Sequence, residues 1–217
     1  MRSPLNRGGI RFYLIILALI GWKSTTTYFA IGVALMLMGI GLHCWAKACL
    51  ERNKEVAMTG PYRFVRHPFY LANALIDSGI VVGSGCWLLG LVFPFWWIGV
   101  YLPVIRQEEA YLIEHFPETY RAYRSRVPAL LPIRRPLPKQ SGGSRRQIAN
   151  IIREREVQRA LRLLTYPLFF FLWHQFRTYG AGYFKSHLAT IISILILMIA
   201  LRGPAWQMKK QLKSERI

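Results

Sequence analysis

The run FYLANALIDSGIVVGSGCWLLGLVFPFWWIGVYLPVI, residues 69–105, decides the fold. It holds two apolar stretches, Phe69 to Val82 and Trp87 to Ile105, separated by the uncharged turn Gly83-Ser84-Gly85. An apolar stretch of about 20 residues can cross a bilayer as a helix, and shorter ones can do so in pairs. The run therefore reads as a helical hairpin in a compact membrane bundle. Outward from it, charge bounds four more apolar runs: Phe12 to Trp22, Tyr28 to Ala46, Leu163 to Phe176 and Leu188 to Leu201. The expected fold is all-α, a polytopic integral membrane bundle of about six helices built from short hairpins. The first run is not a signal peptide, because Gly21-Trp22-Lys23 lacks a small-residue cleavage pattern and more spans follow.

Composition agrees with that reading. The 217 residues are 53% hydrophobic and 18% charged, with a mean hydropathy of +0.23, whereas soluble domains carry about 25% charged residues. Lys and Arg number 29 against 10 Asp and Glu, a net charge of +19. In a soluble chain that excess would suggest nucleic acid. Here 26 of the 29 lie in residues 1–11, 47–66, 106–162 and 202–217, leaving Lys23, Arg177 and Lys185 for the opposite side. By the positive-inside rule the charge is a topology signal: both termini are expected on the cytoplasmic side, and the number of crossings is even. Attraction to anionic lipid headgroups is its second effect, and no nucleic-acid partner is expected.

Three cysteines, Cys44, Cys49 and Cys86, form no CxxC pair and suggest neither disulfides nor a zinc cluster. His43 and Cys44 point about 100° apart on a helix, so with Cys49 they make no metal site. Residues 1–133 read as the core and 134–147, rich in Pro, Gly, Ser and Arg, as a basic flexible linker. Residues 148–217 read as a helix followed by a membrane hairpin. The first part of that segment is either an amphipathic helix on the inner leaflet or a charged lead-in to the next span.

Chemistry concentrates in two places. In Thr59-Gly60-Pro61-Tyr62-Arg63-Phe64-Val65-Arg66-His67-Pro68-Phe69-Tyr70, Gly60-Pro61 marks a turn, and Pro68 suits the first position of a helix with His67 just outside it. Arg66, His67 and Tyr70 then stand at the cytoplasmic end of a membrane helix, whose N-terminal N–H groups favour an anion. Tyr70, Asn73 and Asp77 follow as a polar stripe. An acid inside a span is a functional-site candidate by default, although a structural partnership with a neighbouring helix explains it equally well. The second place is Arg106-Gln107-Glu108-Glu109-Ala110-Tyr111-Leu112, at the cytoplasmic end of the Trp87 span. There the acids either serve the site or pair with the basic loops.

Together these two segments resemble the isoprenylcysteine carboxyl methyltransferase and phospholipid methyltransferase family of membrane enzymes. The resemblance runs from about Gly39 to Pro132 and rests on Arg66-His67-Pro68-Phe69-Tyr70, on Glu108-Glu109 with Leu112, and on Phe116 followed by Tyr120, Tyr123, Val127 and Pro132. It implies methyl transfer from S-adenosylmethionine, held on the cytoplasmic side, to a lipid or other hydrophobic acceptor entering from the bilayer. Val56, Ala57, Tyr62, His67, Pro68, Phe69, Tyr70, Glu108 and Glu109 would line the cofactor site, with Arg66 and Asp77 as candidate catalytic residues and no metal. Where the isoprenylcysteine enzymes carry a substrate-binding arginine one turn before the glutamate pair, this chain has Val104, so a prenylcysteine acceptor is not implied. Some small bacterial members of the family accompany cobalt, zinc, cadmium and nickel efflux systems. An accessory role in such a complex is the alternative expectation.

Overall fold

The computed structural model describes residues 7–50, 56–138 and 154–202. The chain divides into two compact units, Met1–Ile151 and Ile152–Ile217. Among the described residues every regular element is helical. The first unit holds α1 (Arg7–Ile20), α2 (Thr26–Ala48), a 3₁₀ turn (Gly60–Arg63), α3 (Pro68–Ser84), α4 (Trp87–His115) and α5 (Pro117–Arg126). The second holds α6 (Glu154–Ser186), which kinks at Gly180, and α7 (Leu188–Arg202). Of the expected linker, residues 139–147 lie outside the described residues, as do residues 148–153 of the expected amphipathic helix.

By length and composition α2 and α4 can each cross a membrane, while the apolar stretches Arg11–Ile20 and Leu188–Leu197 are shorter. Phe95, Trp87 and Leu91 of α4 present apolar surface outward, which suits hydrocarbon and not water. Pro94 and Pro103 lie inside α4, a placement that transmembrane helices tolerate.

The first unit is held together by a seam of small residues between α2 and α3. A Cβ added to Gly32 would stand 2.5 Å from the Gly83 Cα, and one on Gly79 would stand 2.6 Å from the Gly32 carbonyl oxygen. Gly39 meets Ala72 and Ile76 in the same way, and Met36, fully buried, fills the middle. Glycine lets the two backbones touch, which is how helices associate where lipid and side chain are equally apolar. Any side chain here would force the helices apart, at a cost of about 1–3 kcal/mol.

The two inter-helix turns meet at one end of this unit. The Lys23 amide donates to the Ser84 carbonyl at 2.8 Å. Gly85 closes α3 at φ +67°, where a Cβ would strike Lys23. At the opposite end α3 starts at Pro68 with His67 as its N-cap, as the sequence predicts.

Candidate functional site

The loop ahead of α3 is built by backbone pairing as well as by side chains. Gly60, at φ +57°, opens the 3₁₀ turn; a Cβ there would meet the Cys49 thiol. Tyr123 of α5 donates its hydroxyl to the Tyr62 carbonyl at 2.6 Å, which fixes that turn. The amides of Arg66 and His67 then donate to the carbonyls of Pro128 and Ala129 at 2.9 and 3.0 Å. Further along, Arg63 and Leu137 exchange two hydrogen bonds, the Arg63 Nε to the Leu137 carbonyl at 2.6 Å and the Leu137 amide to the Arg63 carbonyl at 3.1 Å. The segment after α5 thus straps the loop.

Inside this frame lies a buried ionic cluster. Arg66 donates Nε and Nη2 to one oxygen of Glu109, at 3.0 and 2.6 Å. Its Nη1 donates to the carbonyls of Val127 and Arg124, at 2.5 and 3.1 Å. His67 Nε2 lies 3.1 Å from the same Glu109 oxygen, and Arg124 Nε stands 3.6 Å from the other. Glu109 sits beyond the apolar part of α4. Burial opposes its ionisation, but hydrogen bonds from His67 and Arg66 and the Arg66 charge prevail and hold its carboxyl at about 2. On α5, burial first and the Glu109 charge second push the Tyr120 phenol up to about 12. It stays neutral.

Glu108 contrasts with its neighbour. Its side chain is 49% exposed, and its Oε2 stands 3.8 Å from His67 Nδ1. Tyr62 is buried against Ala46 and Cys49, and its hydroxyl finds no hydrogen-bond partner among the described residues. Burial foremost, with smaller contributions from Tyr123, Cys49 and Glu108, raises that phenol well above its ordinary value. A protonated buried hydroxyl without a partner costs about 1–3 kcal/mol, so it is a prime position for a bound polar group.

The structure separates the remaining candidates. Val56 packs on Tyr120, Tyr123 and Val127. Ala57 and Phe69 pack on the Ala46, Cys49 and Tyr62 cluster, with the Phe69 ring edge-on to His43 at 4.9 Å. Tyr70 belongs to a third group with Trp97, Tyr101 and Ile105. Asp77 stands apart. Arg11 of α1 donates Nε to it at 2.6 Å and Nη2 to Asn73 at 3.1 Å, so two members of the polar stripe share one arginine. Sequence reasoning passed over Tyr123 and Arg124 as site residues. The Tyr120-x-x-Tyr123 spacing was their signal.

The loop and the glutamate pair fall within a recognised stretch, which ends at the start of α5. Residues 14–119 match the phospholipid methyltransferase family. That match, over just under half of the chain, agrees with the resemblance carried by the two segments. Over 102 residues the chain is 31% identical to the cobalt-zinc-cadmium resistance protein CzcN of Cupriavidus metallidurans, covering 47% of this chain and 46% of that protein. It is 30% identical over 102 residues to the nickel-cobalt-cadmium resistance protein NccN of Alcaligenes xylosoxydans xylosoxydans, covering 47% of each. It is also 32% identical over 85 residues to the protein-S-isoprenylcysteine O-methyltransferase of Schizosaccharomyces pombe, covering 38% of this chain and 36% of that enzyme. The chain thus spans less than half the length of each of these relatives. No solved structure matches.

Proposed function

We propose that the protein is a membrane-embedded methyltransferase that uses S-adenosylmethionine and methylates a lipid or other hydrophobic acceptor. The observation that carries this reading is the half-exposed Glu108 carboxylate, which acts electrostatically on a buried Tyr62 hydroxyl without a hydrogen-bond partner among the described residues, within a stretch matching a methyltransferase family. The donor set fits the cofactor. Glu108 offers a carboxylate to its cationic groups, Tyr62 a hydroxyl and a ring face, and the Pro68 end of α3 a partial positive charge to its carboxylate. His67, Phe69, Tyr70, Val56 and Ala57 complete the surroundings. When bound, the cofactor supplies an electrophilic methyl group, a chemistry that needs an in-line acceptor and a dry site. Arg66 and Glu109 serve by position: each is already engaged, and together they hold the loop, α4 and α5 in register.

Six spans with cytoplasmic termini in a bacterial inner membrane accord with the charge distribution and with the meeting of the Lys23 and Ser84 turns at the end away from the site. Calorimetry of S-adenosylmethionine binding to the detergent-purified protein tests the reading. The wild type is expected to bind, and Glu108→Gln to bind at least about tenfold more weakly. A folded wild type that does not bind overturns it.

The likeness to CzcN and NccN favours a second reading, an accessory component of a metal efflux complex. Deleting the gene in its host and measuring nickel and cobalt resistance decides it: unchanged resistance removes this reading.

A further inference from the structure

The strap after α5 has two faces. Inward, the carbonyls of Pro128 and Ala129 take the amides of Arg66 and His67, Val127 is fully buried, and Leu130 packs against the group of Tyr70, Trp97, Tyr101 and Ile105. Tyr70 lies in the first turn of α3, and the apolar run of α4 ends at Ile105, just before Arg106. The strap therefore crosses at the level where the apolar part of α4 stops. Outward, Leu131 is 62% and Ile133 78% exposed. The Ile133 amide donates to the Leu131 carbonyl at 2.8 Å across Pro132, a three-residue turn that fixes the backbone beneath both side chains. Around that pair the chain is basic. From Arg121 to Pro138 it carries five arginines, Arg121, Arg124, Arg126, Arg134 and Arg135, and no acid, and all five are exposed. Arg134 Nη1 donates to the Ser125 carbonyl at 2.6 Å, which joins the arginines after the turn to those at the end of α5.

We propose that the turn of Leu131 and Ile133, with Arg126, Arg134 and Arg135, is a docking surface for the anionic headgroups of the bilayer, and that lipid bound there tightens the strap on the Arg63 to His67 loop. Apolar side chains beside guanidinium groups suit a membrane surface, where the former enter the acyl boundary and the latter meet phosphates. The level of the turn, beside the end of the apolar run of α4, favours lipid over a protein partner. The proposal goes beyond methyl transfer, because it makes membrane charge a regulator of how firmly the loop is held. The path is short. Two residues after Arg135, Leu137 exchanges its two hydrogen bonds with Arg63. Two residues before Leu131, Ala129 holds the amide of His67. Ordering the segment between these two attachments on the bilayer surface favours both.

The test places the full-length protein, one copy per disc, in lipid nanodiscs of phosphatidylcholine or of phosphatidylcholine mixed with phosphatidylglycerol, and follows amide hydrogen exchange by mass spectrometry. Peptides covering residues 62–70 and 129–137 are expected to exchange at least about fivefold more slowly with phosphatidylglycerol, since a single arginine near an anionic surface adds about that factor to binding. Salt at about 0.5 M should remove most of the difference. Arg126→Gln combined with Arg135→Gln, which leaves the bond from Arg134 to Ser125 in place, should match the wild type in phosphatidylcholine and lose the response to phosphatidylglycerol. Leu131→Ser combined with Ile133→Ser should lose it as well. Equal exchange of the wild type in both discs overturns the proposal, and so does a response that survives the arginine substitutions. A response lost with the arginines but whole in the serine variant assigns the surface to a soluble acidic partner and overturns the bilayer as occupant. Protection that appears only when two copies share a disc overturns it in favour of a second copy. The exchange is measured without S-adenosylmethionine, so its outcome stands or falls apart from the methyltransferase reading.

Discussion

Glu109 and Asp77 are both buried carboxylates paired with arginine, and they do different things. Glu109 is reached from the loop by Arg66 and His67 and from α5 by Arg124, and the half-exposed Glu108 is its immediate neighbour. Asp77 is met by Arg11, whose other donor goes to Asn73 one turn away. Ten residues of helix separate it from His67, about 15 Å at 1.5 Å per residue. An acid in apolar surroundings announces that a cation faces it, since an unpaired charge there is too costly. It does not announce chemistry. What marks the Glu109 region as a site is the group beside it that is still accessible and the Tyr62 hydroxyl that is still unsatisfied; the Asp77 region, in these terms, is a pin holding α1 to α3.

Breaking the larger cluster should do the most damage. Glu109→Ala strands Arg66 and His67 in a buried setting, and loss of one partner of a buried pair costs about 3–5 kcal/mol. Thermal unfolding in detergent should show that loss, together with loss of S-adenosylmethionine binding, because the loop, α4 and α5 are no longer held together. A variant that keeps its midpoint would show the cluster to be less coupled than its hydrogen bonds suggest.

The Asp77 pair allows a sharper experiment. Asp77→Ala should destabilise by an amount near the lower end, about 3 kcal/mol, whereas Arg11→Met combined with Asp77→Leu should return to within about 1 kcal/mol of wild type, since apolar replacement of a whole buried pair is often neutral. Cofactor affinity and methyl transfer should be unchanged in the double variant. A well-folded double variant that binds the cofactor and transfers nothing would make Asp77 catalytic, and the contrast between the two acids would disappear.

Acid provides the next test. The Glu109 carboxyl is held at about 2 against an ordinary 4.5, so its folded-state pKa is depressed. A depressed carboxylate contributes stability that is complete above the unfolded value and drains away as pH falls toward the folded one. The unfolding midpoint should therefore be indifferent to this group near pH 7 and should drop between about 4.5 and 2. In Glu109→Gln that part of the acid limb should flatten, and a limb unchanged by the substitution would assign the acid sensitivity elsewhere.

These contrasts were legible in the sequence to different depths. The Pro68 helix start with His67 outside it was readable because proline lacks an N–H and restricts the residue before it, both local effects. The helices and the turns between them were readable from apolar runs broken by glycine. The choice between Glu108 and Glu109 was not, because adjacent helical residues point about 100° apart and only the packing of α4 against the loop decides which is buried. The strap was hidden for another reason: it uses the carbonyls of Val127, Pro128 and Ala129, which every residue possesses. The glycine seam was half visible, in the four-residue spacing of Gly79 and Gly83, but its partners Gly32 and Gly39 on α2 are identified only by the fold. Asp77 was singled out correctly as needing an explanation, and Arg11, sixty-six positions away, supplies a partner that no spacing rule could indicate.

The smallest effect concerns the rim of the Glu109 cluster. Arg124 stands 3.6 Å from the second Glu109 oxygen, but its side chain is 51% exposed, so water screens the pair. Exposed ion pairs contribute about 0–1 kcal/mol, and Arg124→Ala should lower the unfolding midpoint by no more than that corresponds to. Its guanidinium is also replaceable, because Arg66 already holds the first oxygen from the loop. Added salt should erase what difference remains, while leaving Glu109→Ala as damaged as before. A large, salt-resistant loss in Arg124→Ala would mean that the second oxygen is as tightly bound as the first. Glu109 would then be gripped from α5 as firmly as from the loop, and removing Arg124 should free the His67 ring as well as loosen the helix.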